Sequence, residues 1–240
     1  MDVGIFIQAR LGSERLPRKM ELPLPENGDK TILEQLIYRV KKTAQYYAPT
    51  FVKVKTICLI TQNVELVEIA KKCGIDYSVY NTEKRDVLAE FAKANEVFKC
   101  DVVVRITGDC PCTSPRMIEQ MICAFVDSNS DIICNNSDAL KVEHGIDGLD
   151  IEVFSASALR QAYETATEPY DREHCCPWMY KNLKSEVVPF IWELSKDLKL
   201  SIDWQEDYER ICDIFKTLGN DFEIRDLVSY FKEKEKNEAD

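Results

Sequence analysis

The sequence contains no long apolar segment and no excess of basic residues. None of its hydrophobic runs approaches the roughly 20 residues that a membrane-spanning helix needs, and charge follows the apolar start too early for a secretory signal peptide. Lysine and arginine number 31 against 42 aspartates and glutamates, so the formal net charge is −11. Because nucleic acids and anionic membranes are polyanions, this charge argues against both as partners, although a local cluster of bases can still bind a small anion.

The sequence also lacks the cysteine spacing that binds structural zinc. It has ten cysteines and two histidines but no C-x₂₋₄-C pair. The clusters Cys110–Cys112 and His174–Cys176 would give poor tetrahedral geometry, so zinc is not expected. Without a signal peptide, the thiols are expected to be reduced and to fill the core of a cytoplasmic protein.

Apolar strands and amphipathic helices alternate through the first 130 residues. The patterns predict strands at 3–8, 55–61, 77–80, 101–107, 131–134 and 151–154, with helices beginning near 31, 64, 86, 115, 157, 170 and 205. This alternation predicts a three-layer α/β/α, Rossmann-like fold with a mostly parallel sheet, whose ligands bind at the carboxyl ends of the strands. The second half is expected to add a polar loop at 135–150, β-like runs at 185–193 and 198–202, and a charged tail at 231–240 that frays.

The loop after the first predicted strand, Gln8–Lys19, is rich in cations within an acidic protein. It holds three arginines and Lys19 but a single acid, Glu14. Gly12 and Ser13 allow backbone N–H groups to turn toward an anion, and arginine and lysine side chains bind phosphate. Neither GxxxxGK[ST] nor GxGxxG occurs. From the residues alone, the segment is either a triphosphate-binding loop or a basic surface loop held by salt bridges.

Two aspartates close other predicted strands at the same edge of the sheet. Asp109 follows the strand at 101–107 through Gly108, which permits a tight turn, and Asp203 closes the run at 198–202. Two hard carboxylate ligands facing a phosphate-binding loop form a candidate Mg²⁺ site, where the ion would offset the charge of a departing phosphate group. The alternative is that each aspartate only caps a loop or the next helix.

Five segments, taken together and in order, resemble a known family. They are the loop at 8–19, RITGDCPCTSP at 105–115, DGLDIEVFS at 147–155, REHCCPWMY at 172–180 and LSIDWQEDYE at 200–209. The family is that of the cytidylyltransferases that activate acidic sugars, typified by 3-deoxy-manno-octulosonate cytidylyltransferase, and the spore-coat polysaccharide biosynthesis branch is more similar still.

The resemblance implies one nucleotidyltransferase domain over 1–240. Its parts would be a nucleotide-binding core at 1–134, an acceptor-side and dimerisation region at 135–200, and C-terminal helices at 201–240. The implied reaction is a Mg²⁺- or Mn²⁺-dependent transfer of CMP from CTP, with release of pyrophosphate. The implied acceptor is an acidic sugar, a sugar or alditol phosphate, or a phosphonate, used in polysaccharide or glycoconjugate precursor synthesis. The resemblance also suggests a homodimer, for which 170–193 is the candidate surface.

The same resemblance implies roles for individual residues of this sequence. Arg10, Arg15 and Lys19 would bind the triphosphate, and Asp109 and Asp203 would bind Mg²⁺, with Arg10, Lys19 and Asp109 the catalytic residues. The other nucleotide contacts are expected from Gln8, Ala9, Gly12, Ser13, Thr61, Thr107 and Gly108. Two positions depart from the family, which often has glycine in place of Arg18 and a small or turn-forming residue in place of Trp204.

The acceptor side is expected downstream. Asp147, Asp150 and Glu152 lie close together after a polar loop, and they either bind acceptor hydroxyls or a metal, or only order the loop. Arg172 and His174 are expected to contact an anionic acceptor, and His174 is a better functional candidate than His144, which lies in the polar loop.

Two other functions remain open from the residues. A glycosyltransferase of similar fold usually carries an Asp-x-Asp pair, whereas here Asp109 is followed by Cys110 and Pro111. A non-catalytic nucleotide-binding module would use the same loop. A catalytic histidine is not required for the expected transfer, because an anionic acceptor oxygen needs no strong general base.

Overall fold

The computed structural model describes residues 1–45, 52–81, 85–136, 145–190, 193–195 and 197–239. These residues form a sheet of seven strands in the order β3-β2-β1-β4-β6-β5-β7. The strands are β1 (Asp2–Gln8), β2 (Lys53–Thr61), β3 (Asp76–Val79), β4 (Val102–Thr107), β5 (Ile132–Cys134), β6 (Glu152–Ser155) and β7 (Ser185–Val187). Strand β6 runs antiparallel to β4 and β5, and the other pairs are parallel. The predicted mostly parallel α/β fold is therefore confirmed.

Helices cover both faces of the sheet. They are α1 (Ile32–Lys41), α2 (Glu65–Cys73), α3 (Val87–Phe98), α4 (Pro115–Asp127), α5 (Ala156–Thr165), α6 (Pro169–His174), α7 (Pro177–Asn182), α8 (Gln205–Leu218) and α9 (Ile224–Ala239). Helices α1, α2, α4, α8 and α9 share one buried cluster, and α3, α5 and α7 share the other. In β1, Ile5 and Ile7 belong to the first cluster and Phe6 to the second. Burial on both faces explains the continuous apolar runs of the central strands.

Local capping fixes the helix starts that the sequence predicts. Thr31 and Glu34 form a capping box, in which the Thr31 hydroxyl accepts from the Glu34 N–H and the Glu34 carboxylate accepts from the Thr31 N–H at 2.7 Å. Ser114 caps α4, whose first residue is Pro115. Helix α2 ends at Gly74, which adopts the left-handed conformation expected of a C-terminal glycine.

The second half differs from the prediction in three places. The single helix expected to begin near 170 is two short helices, because Cys175 has a φ of 69° and Pro177 cannot continue a helix from the preceding turn. The β-like run at 185–193 contributes only β7, with residues 191 and 192 outside the described ranges. The run at 198–202 forms one isolated bridge, between Asp147 and Lys199, in place of a strand.

The charged C-terminal segment continues helix α9 to Ala239. Leu227 and Tyr230 pack into the core before the segment begins, and within it Lys234 forms an ion pair with Asp213 of α8 at 2.6 Å. That the end of the segment frays stays a prediction.

All ten cysteines are free thiols and eight of them are buried, as expected for thiols that fill the core. No helix within the described residues has the length and apolar character needed to cross a bilayer.

Candidate active site

Two adjoining cavities open at the carboxyl ends of β1 and β4. Gln8 and Thr107, the last residues of these strands, are register partners and lie side by side. The first cavity, of about 470 Å³, is lined by the loop after β1 together with Asp109 and Asp203. The second, of about 370 Å³, lies beyond it toward β6 and α7. The two share Arg105, Thr107 and His174, so a ligand can extend from one cavity into the other.

The loop after β1 lines the first cavity and is anchored to the neighbouring strand. The Leu11 N–H donates to the Asn63 side chain at 2.9 Å, just after β2. The Ser13 N–H donates to the Leu11 carbonyl at 2.9 Å, which closes a tight turn. Arg10 projects into the cavity, and none of the described acids forms an ion pair with it. The loop therefore presents one uncommitted cation to an anionic ligand.

Lys19 is the centre of the first cavity. Its side chain is only 7% exposed, and its ammonium lies 2.9 Å from Asp109 Oδ2 and 3.1 Å from Asp203 Oδ1. The same nitrogen donates to the Ile202 carbonyl. A buried lysine is stable as a cation only when paired, and here two carboxylates and a carbonyl satisfy its three N–H groups.

The residue before Lys19 explains one departure from the family that the sequence resembles. Arg18 has a φ of 55°, in the left-handed region that favours glycine. Its side chain is 58% exposed and forms an ion pair with Glu21 at 2.6 Å, outside both cavities. A glycine there would adopt the same backbone conformation without strain, so Arg18 changes the surface rather than the site.

Asp109 is held at the cavity by close backbone packing. The Gly108 N–H donates to the Gln8 carbonyl at 2.7 Å, and a Cβ at Gly108 would lie 2.8 Å from the Ala9 Cβ. The Asp109 carbonyl accepts from the Ile202 N–H at 2.9 Å. The turn after β4 is therefore tied to the segment before α8, which brings Asp109 and Asp203 together.

Asp203 is surrounded by cations. Arg15 approaches its Oδ1 at 2.8 Å and Lys199 its Oδ2 at 2.9 Å. Burial alone would raise the pKa of Asp203, but the hydrogen bonds and charges of Lys199 and Lys19 outweigh it and lower that pKa. Arg15 also stacks on the exposed Trp204, with its guanidinium 5.2 Å from the ring centroid. Trp204 therefore supports Arg15, at the second position that departs from the family.

The carboxylates of Asp109 and Asp203 fit a divalent cation that binds together with a nucleotide. Asp109 and Asp203 both contact the Lys19 ammonium, so the two carboxylates converge on one point of the cavity. Within the described ranges no group of three or more His, Cys, Asp or Glu side chains could hold a metal. Mg²⁺ commonly uses one or two carboxylates and completes its shell with phosphate oxygens and water. The two aspartates match that pattern better than a site in which protein side chains supply every metal ligand.

The wall between the two cavities is a buried ion-pair network. Arg105 donates to the Gln8 side-chain oxygen at 2.9 Å and forms an ion pair with Glu152. Glu152 also accepts from the Tyr180 hydroxyl at 2.8 Å. Burial alone would lower the pKa of Arg105, but the charge of Glu152 outweighs it and raises that pKa. The arginine is therefore permanently charged and already paired.

Asp147 and Asp150 line the second cavity with Glu152. Asp150 accepts from the Asn136 side chain at 2.6 Å and from the Gly148 N–H at 2.9 Å. Burial raises its pKa to about 6. Gly148 has a φ of 95°, and a Cβ there would lie 2.1 Å from the Ser201 nitrogen. Only glycine fits this turn, which sets the positions of both aspartates.

Most of the residues expected from the sequence lie at the cavities. The first cavity is lined by Gln8, Ala9, Arg10, Gly12, Ser13, Arg15, Lys19, Thr107, Gly108, Asp109, His174 and Asp203. Two of the expected residues do not reach either cavity. Thr61 is buried at the end of β2, where its hydroxyl accepts from the Asn63 N–H at 3.0 Å. Arg172 donates to Asp86 at 2.9 Å and to the Tyr163 carbonyl at 2.9 Å, so its charge is used inside the fold. His144 lies outside the described residues.

Sequence reasoning missed several lining residues. Arg85 lines the first cavity and pairs with Glu173, while Asn136, Tyr170 and Tyr180 line the second. Arg85 carried one weak signal, a cation directly before the N-cap Asp86 of α3. The others come from loops and short helices that only the fold brings together.

Comparison with known proteins agrees with this architecture. The family model for cytidylyltransferases matches residues 4–236. An uncharacterised protein of Methanocaldococcus jannaschii is 32% identical, over 99% of this chain and 98% of its own. The spore coat polysaccharide biosynthesis protein SpsF of Bacillus subtilis is 30% identical, over 91% and 88% of the two chains.

Solved structures show the same relationship. A cytidylyltransferase from Leptospira borgpetersenii has a TM-score of 0.83 at 30% identity, covering 98% of this chain and 95% of its own. CMP:2-keto-3-deoxy-manno-octonic acid synthetase, solved in complex with CTP, has a TM-score of 0.66 at 14% identity, covering 90% and 99%, and shares the fold. The resemblance drawn from the five sequence segments is confirmed, and the chain belongs to the cytidylyltransferase family of nucleotidyltransferases.

Proposed function

We propose that the protein transfers CMP from CTP to an oxygen of an anionic acceptor and releases pyrophosphate. The acceptor class is an acidic sugar, a sugar or alditol phosphate, or a phosphonate, used to build a polysaccharide or glycoconjugate precursor. The observation that carries the proposal is the buried contact of Lys19 with both Asp109 and Asp203, next to the uncommitted Arg10. This set combines carboxylates for a divalent ion with cations for a triphosphate in one cavity.

The reaction is a displacement at the α-phosphorus. The acceptor oxygen forms a bond to that phosphorus, the bond to the bridging oxygen of the β-phosphate breaks, and the electron pair leaves with pyrophosphate. Arg10 and Lys19 offset the negative charge of the triphosphate and of the departing pyrophosphate. The loop after β1 positions the phosphates through its backbone N–H groups. An acceptor oxygen that is already ionised needs no strong base, and a hydroxyl oxygen passes its proton to water as the new bond forms; His174 serves as a contact at the junction of the two cavities.

We propose Mg²⁺, or Mn²⁺ in its place, as the ion held by Asp109 and Asp203. When bound, it supplies charge compensation to the phosphate oxygens. The lowered pKa of Asp203 keeps that carboxylate ionised and able to bind it. Lys199 contacts Oδ2 of Asp203, and Arg15 shares Oδ1 with Lys19, so the carboxylate is held at both oxygens.

The test is release of pyrophosphate from each of CTP, UTP, GTP and ATP over a panel of acidic sugars, sugar phosphates and phosphonates. Release is expected with CTP, only in the presence of a divalent ion, and to fall at least about 100-fold in Asp109→Asn. Asp127→Asn, at the exposed end of α4, is the matched control and should retain the wild-type rate. Full turnover by Asp109→Asn would refute the proposed roles.

The two alternative functions give different results in the same assay. A glycosyltransferase would hydrolyse or transfer from a nucleotide sugar without acting on any triphosphate. A non-catalytic module would bind CTP without releasing pyrophosphate with any acceptor.

The cellular setting belongs to the same proposal. We propose that the enzyme works in the cytoplasm, where CTP is available, and that it forms a homodimer through residues 170–193. Sedimentation equilibrium would show the mass of a monomer if the dimer proposal is wrong.

A further inference from the structure

A buried carboxylate in α8 lies four residues after Asp203, outside the groups that the proposed reaction uses. Asp207 is in the first turn of the helix, and its side chain is only 8% exposed. It lines neither of the two cavities. A buried carboxylate costs free energy unless hydrogen bonds and opposite charges compensate it, so its contacts indicate what it stabilises.

Asp207 is hydrogen-bonded at both of its oxygens. Its Oδ2 accepts from the backbone N–H groups of Asp203 and Trp204, each at 3.0 Å, and from the Lys199 ammonium at 2.9 Å. Its Oδ1 accepts from Arg210. A carboxylate offers about four lone-pair positions, so these four donors leave it little capacity to bind a metal or a substrate itself. Any effect of Asp207 on the reaction must therefore pass through a neighbouring residue.

These contacts exceed what the start of α8 requires. In a capping box, a carboxylate at the third helical position accepts from the N–H of the N-cap residue, which here is Trp204. Asp207 also accepts from the N–H of Asp203, the residue before the cap. The positive end of the helix dipole favours a carboxylate at this place. Asp207 therefore fixes the backbone of Asp203 as well as the first turn of the helix.

Lys199 connects the carboxylates of Asp207 and Asp203. Its ammonium lies 2.9 Å from Oδ2 of each. The other oxygen of Asp203, Oδ1, contacts Lys19 and Arg15 in the first cavity. Asp207 thus holds Asp203 twice, directly at its backbone N–H and through Lys199 at its side chain. Metal ligands are commonly oriented by such outer contacts, which limit the rotation of the side chain.

The segment before α8 also determines how Asp203 lies relative to Asp109. The Ile202 N–H donates to the Asp109 carbonyl at 2.9 Å, and the next residue donates its N–H to Asp207 at 3.0 Å. Asp203 is therefore held between the turn after β4 on one side and α8 on the other. Loss of the contacts on the α8 side would free its carboxylate to turn away from that of Asp109.

We propose that Asp207 is a positioning residue for the divalent cation: it fixes the backbone and, through Lys199, the carboxylate of Asp203, without touching the ion or the nucleotide. The inference rests on the proposed function, because it assumes that Asp109 and Asp203 hold the ion that binds with CTP. Loss of the Asp207 charge should weaken the binding of the ion and leave metal-free nucleotide binding intact.

The test is equilibrium dialysis of labelled CTP against the protein in EDTA and in saturating Mg²⁺. Because the two ligands are linked, the ratio of these dissociation constants changes between variants by the same factor as the Mg²⁺ affinity of the CTP-loaded protein. Asp207→Asn keeps the shape of the side chain and removes its charge. The ratio should fall on the order of 10-fold, the usual effect of losing a partner of a metal ligand, and CTP binding in EDTA should stay at the wild-type value.

Ser155→Ala is the matched control for a lost helix cap. Ser155 caps α5 by accepting from the Ala158 N–H at 3.0 Å, and it lines neither cavity. This variant should lower the midpoint of urea denaturation and keep the wild-type ratio. An unchanged ratio in Asp207→Asn, whatever its stability, would show that Asp207 only caps α8 and would overturn the inference.

Lys199→Met tests the second connection and does not depend on the folding of Asp207→Asn. It removes the ammonium that joins the two carboxylates, so the ratio should fall in this variant as well. A wild-type ratio in Lys199→Met would contradict the proposed path from Asp207 to the side chain of Asp203.

The wild-type protein separates this inference from the proposed function. If it binds CTP no more tightly in Mg²⁺ than in EDTA and releases no pyrophosphate, the proposed function fails and the inference fails with it. If it binds CTP more tightly in Mg²⁺ and releases pyrophosphate, but Asp207→Asn keeps the same ratio, the proposed function stands and the inference is wrong.

Discussion

The first and second cavities are built by different means. The first comes from loops that directly follow β1 and β4, the two central parallel strands, and its cations and carboxylates are packed against one another around Lys19. The second comes from a glycine turn, the antiparallel strand β6 and two short helices. Parallel central strands place the loops that follow them at one end of the sheet, whereas the second cavity depends on a turn and short helices outside those loops. The comparison suggests that the first cavity serves a constant reactant and the second a variable one.

The strongest way to break this comparison is to remove the cation at the centre of the first cavity. Lys19→Met should lower kcat about 10²- to 10³-fold, the usual effect of losing one group that stabilises developing charge. It also leaves Asp109 and Asp203 without their shared partner. The variant should therefore bind Mn²⁺ more tightly than the wild type in the absence of nucleotide, as measured by electron paramagnetic resonance of free Mn²⁺.

The control for that experiment is the preceding residue. Arg18 is exposed and pairs only with Glu21 among the described acids. Arg18→Met should change neither kcat nor Mn²⁺ binding by more than about twofold, since exposed pairs contribute little. Wild-type Mn²⁺ affinity in Lys19→Met would show that the two carboxylates do not form a cation site.

The next largest effect is expected from a substitution in the wall between the cavities, and it concerns the free energy of unfolding. Glu152→Gln removes the charge that compensates Arg105, and both side chains are largely buried, at 12% and 15% exposed. Breaking one partner of a buried pair leaves an uncompensated charge, so the free energy of unfolding should fall by about 2–3 kcal/mol. Urea denaturation followed by circular dichroism measures it. Arg18→Gln, which breaks an exposed pair, should cost less than about 0.5 kcal/mol, and equal losses in the two variants would contradict the assigned burial.

Two arginines of the loop after β1 are expected to contribute unequally to CTP binding in the first cavity. Arg10 forms no ion pair with any of the described acids, whereas Arg15 pairs with Asp203 at 2.8 Å and stacks on Trp204. Arg10→Gln should raise the dissociation constant of CTP about 10- to 100-fold, the range for loss of a charge-assisted hydrogen bond to phosphate. Arg15→Gln should raise it less than about fivefold, because part of that charge serves Asp203. Equilibrium dialysis with labelled CTP measures both dissociation constants. A larger increase in Arg15→Gln than in Arg10→Gln would show that Arg15 makes the main phosphate contact.

The sequence was informative about the first cavity because its signals are local. The loop Gln8–Lys19 is continuous in the chain, and a β-branched run precedes Asp109. Parallel strands place their following loops at one edge, so continuity and strand order together predict the meeting of these residues. The buried contact of Lys19 with both aspartates could not be predicted, because it depends on the left-handed conformation at Arg18 and on the segment before α8.

Only some of the residues that line the second cavity could be predicted from the sequence, and the reason is physical. Asp147, Asp150 and Glu152 share one short segment and were identified from it. Arg172 and His174 are two residues apart on α6, yet Arg172 turns inward to Asp86 while His174 lines both cavities. Both residues lie within α6, and residues two apart in a helix project in different directions. Which of the two faces the cavities depends on how α6 packs against α3, and the sequence pattern does not encode that packing.

The smallest expected effect concerns the pH dependence of stability and tests the environment of the second cavity. Burial raises the pKa of Asp150 from 3.8 to about 6 in the folded protein. Between these two pH values the folded state binds the proton more strongly than the unfolded state, so the contribution of Asp150 to stability is fully present below about pH 4 and is lost as pH rises through 6. Asp150→Asn lacks this dependence. The free energy of unfolding of the variant relative to the wild type should therefore rise by about 1–2 kcal/mol between pH 4 and pH 7, less than the full linkage value because the side chain is partly exposed.

Measuring the difference in free energy of unfolding at two pH values separates the effect of the Asp150 charge from the effect of the lost packing. At pH 7 the carboxylate accepts hydrogen bonds from both Asn136 and Gly148, whereas asparagine, like the protonated carboxyl group at pH 4, has one strong acceptor oxygen. In addition to burial, the charges of Asp147 and Glu152 raise the pKa of Asp150, so the difference includes this coupling, whereas titrating groups away from the second cavity cancel. Asp127→Asn, on the exposed end of α4, is the control substitution of the same chemical type. A pH-independent difference for Asp150→Asn would mean that the second cavity stabilises the carboxylate as well as water does, contrary to the burial that raises its pKa.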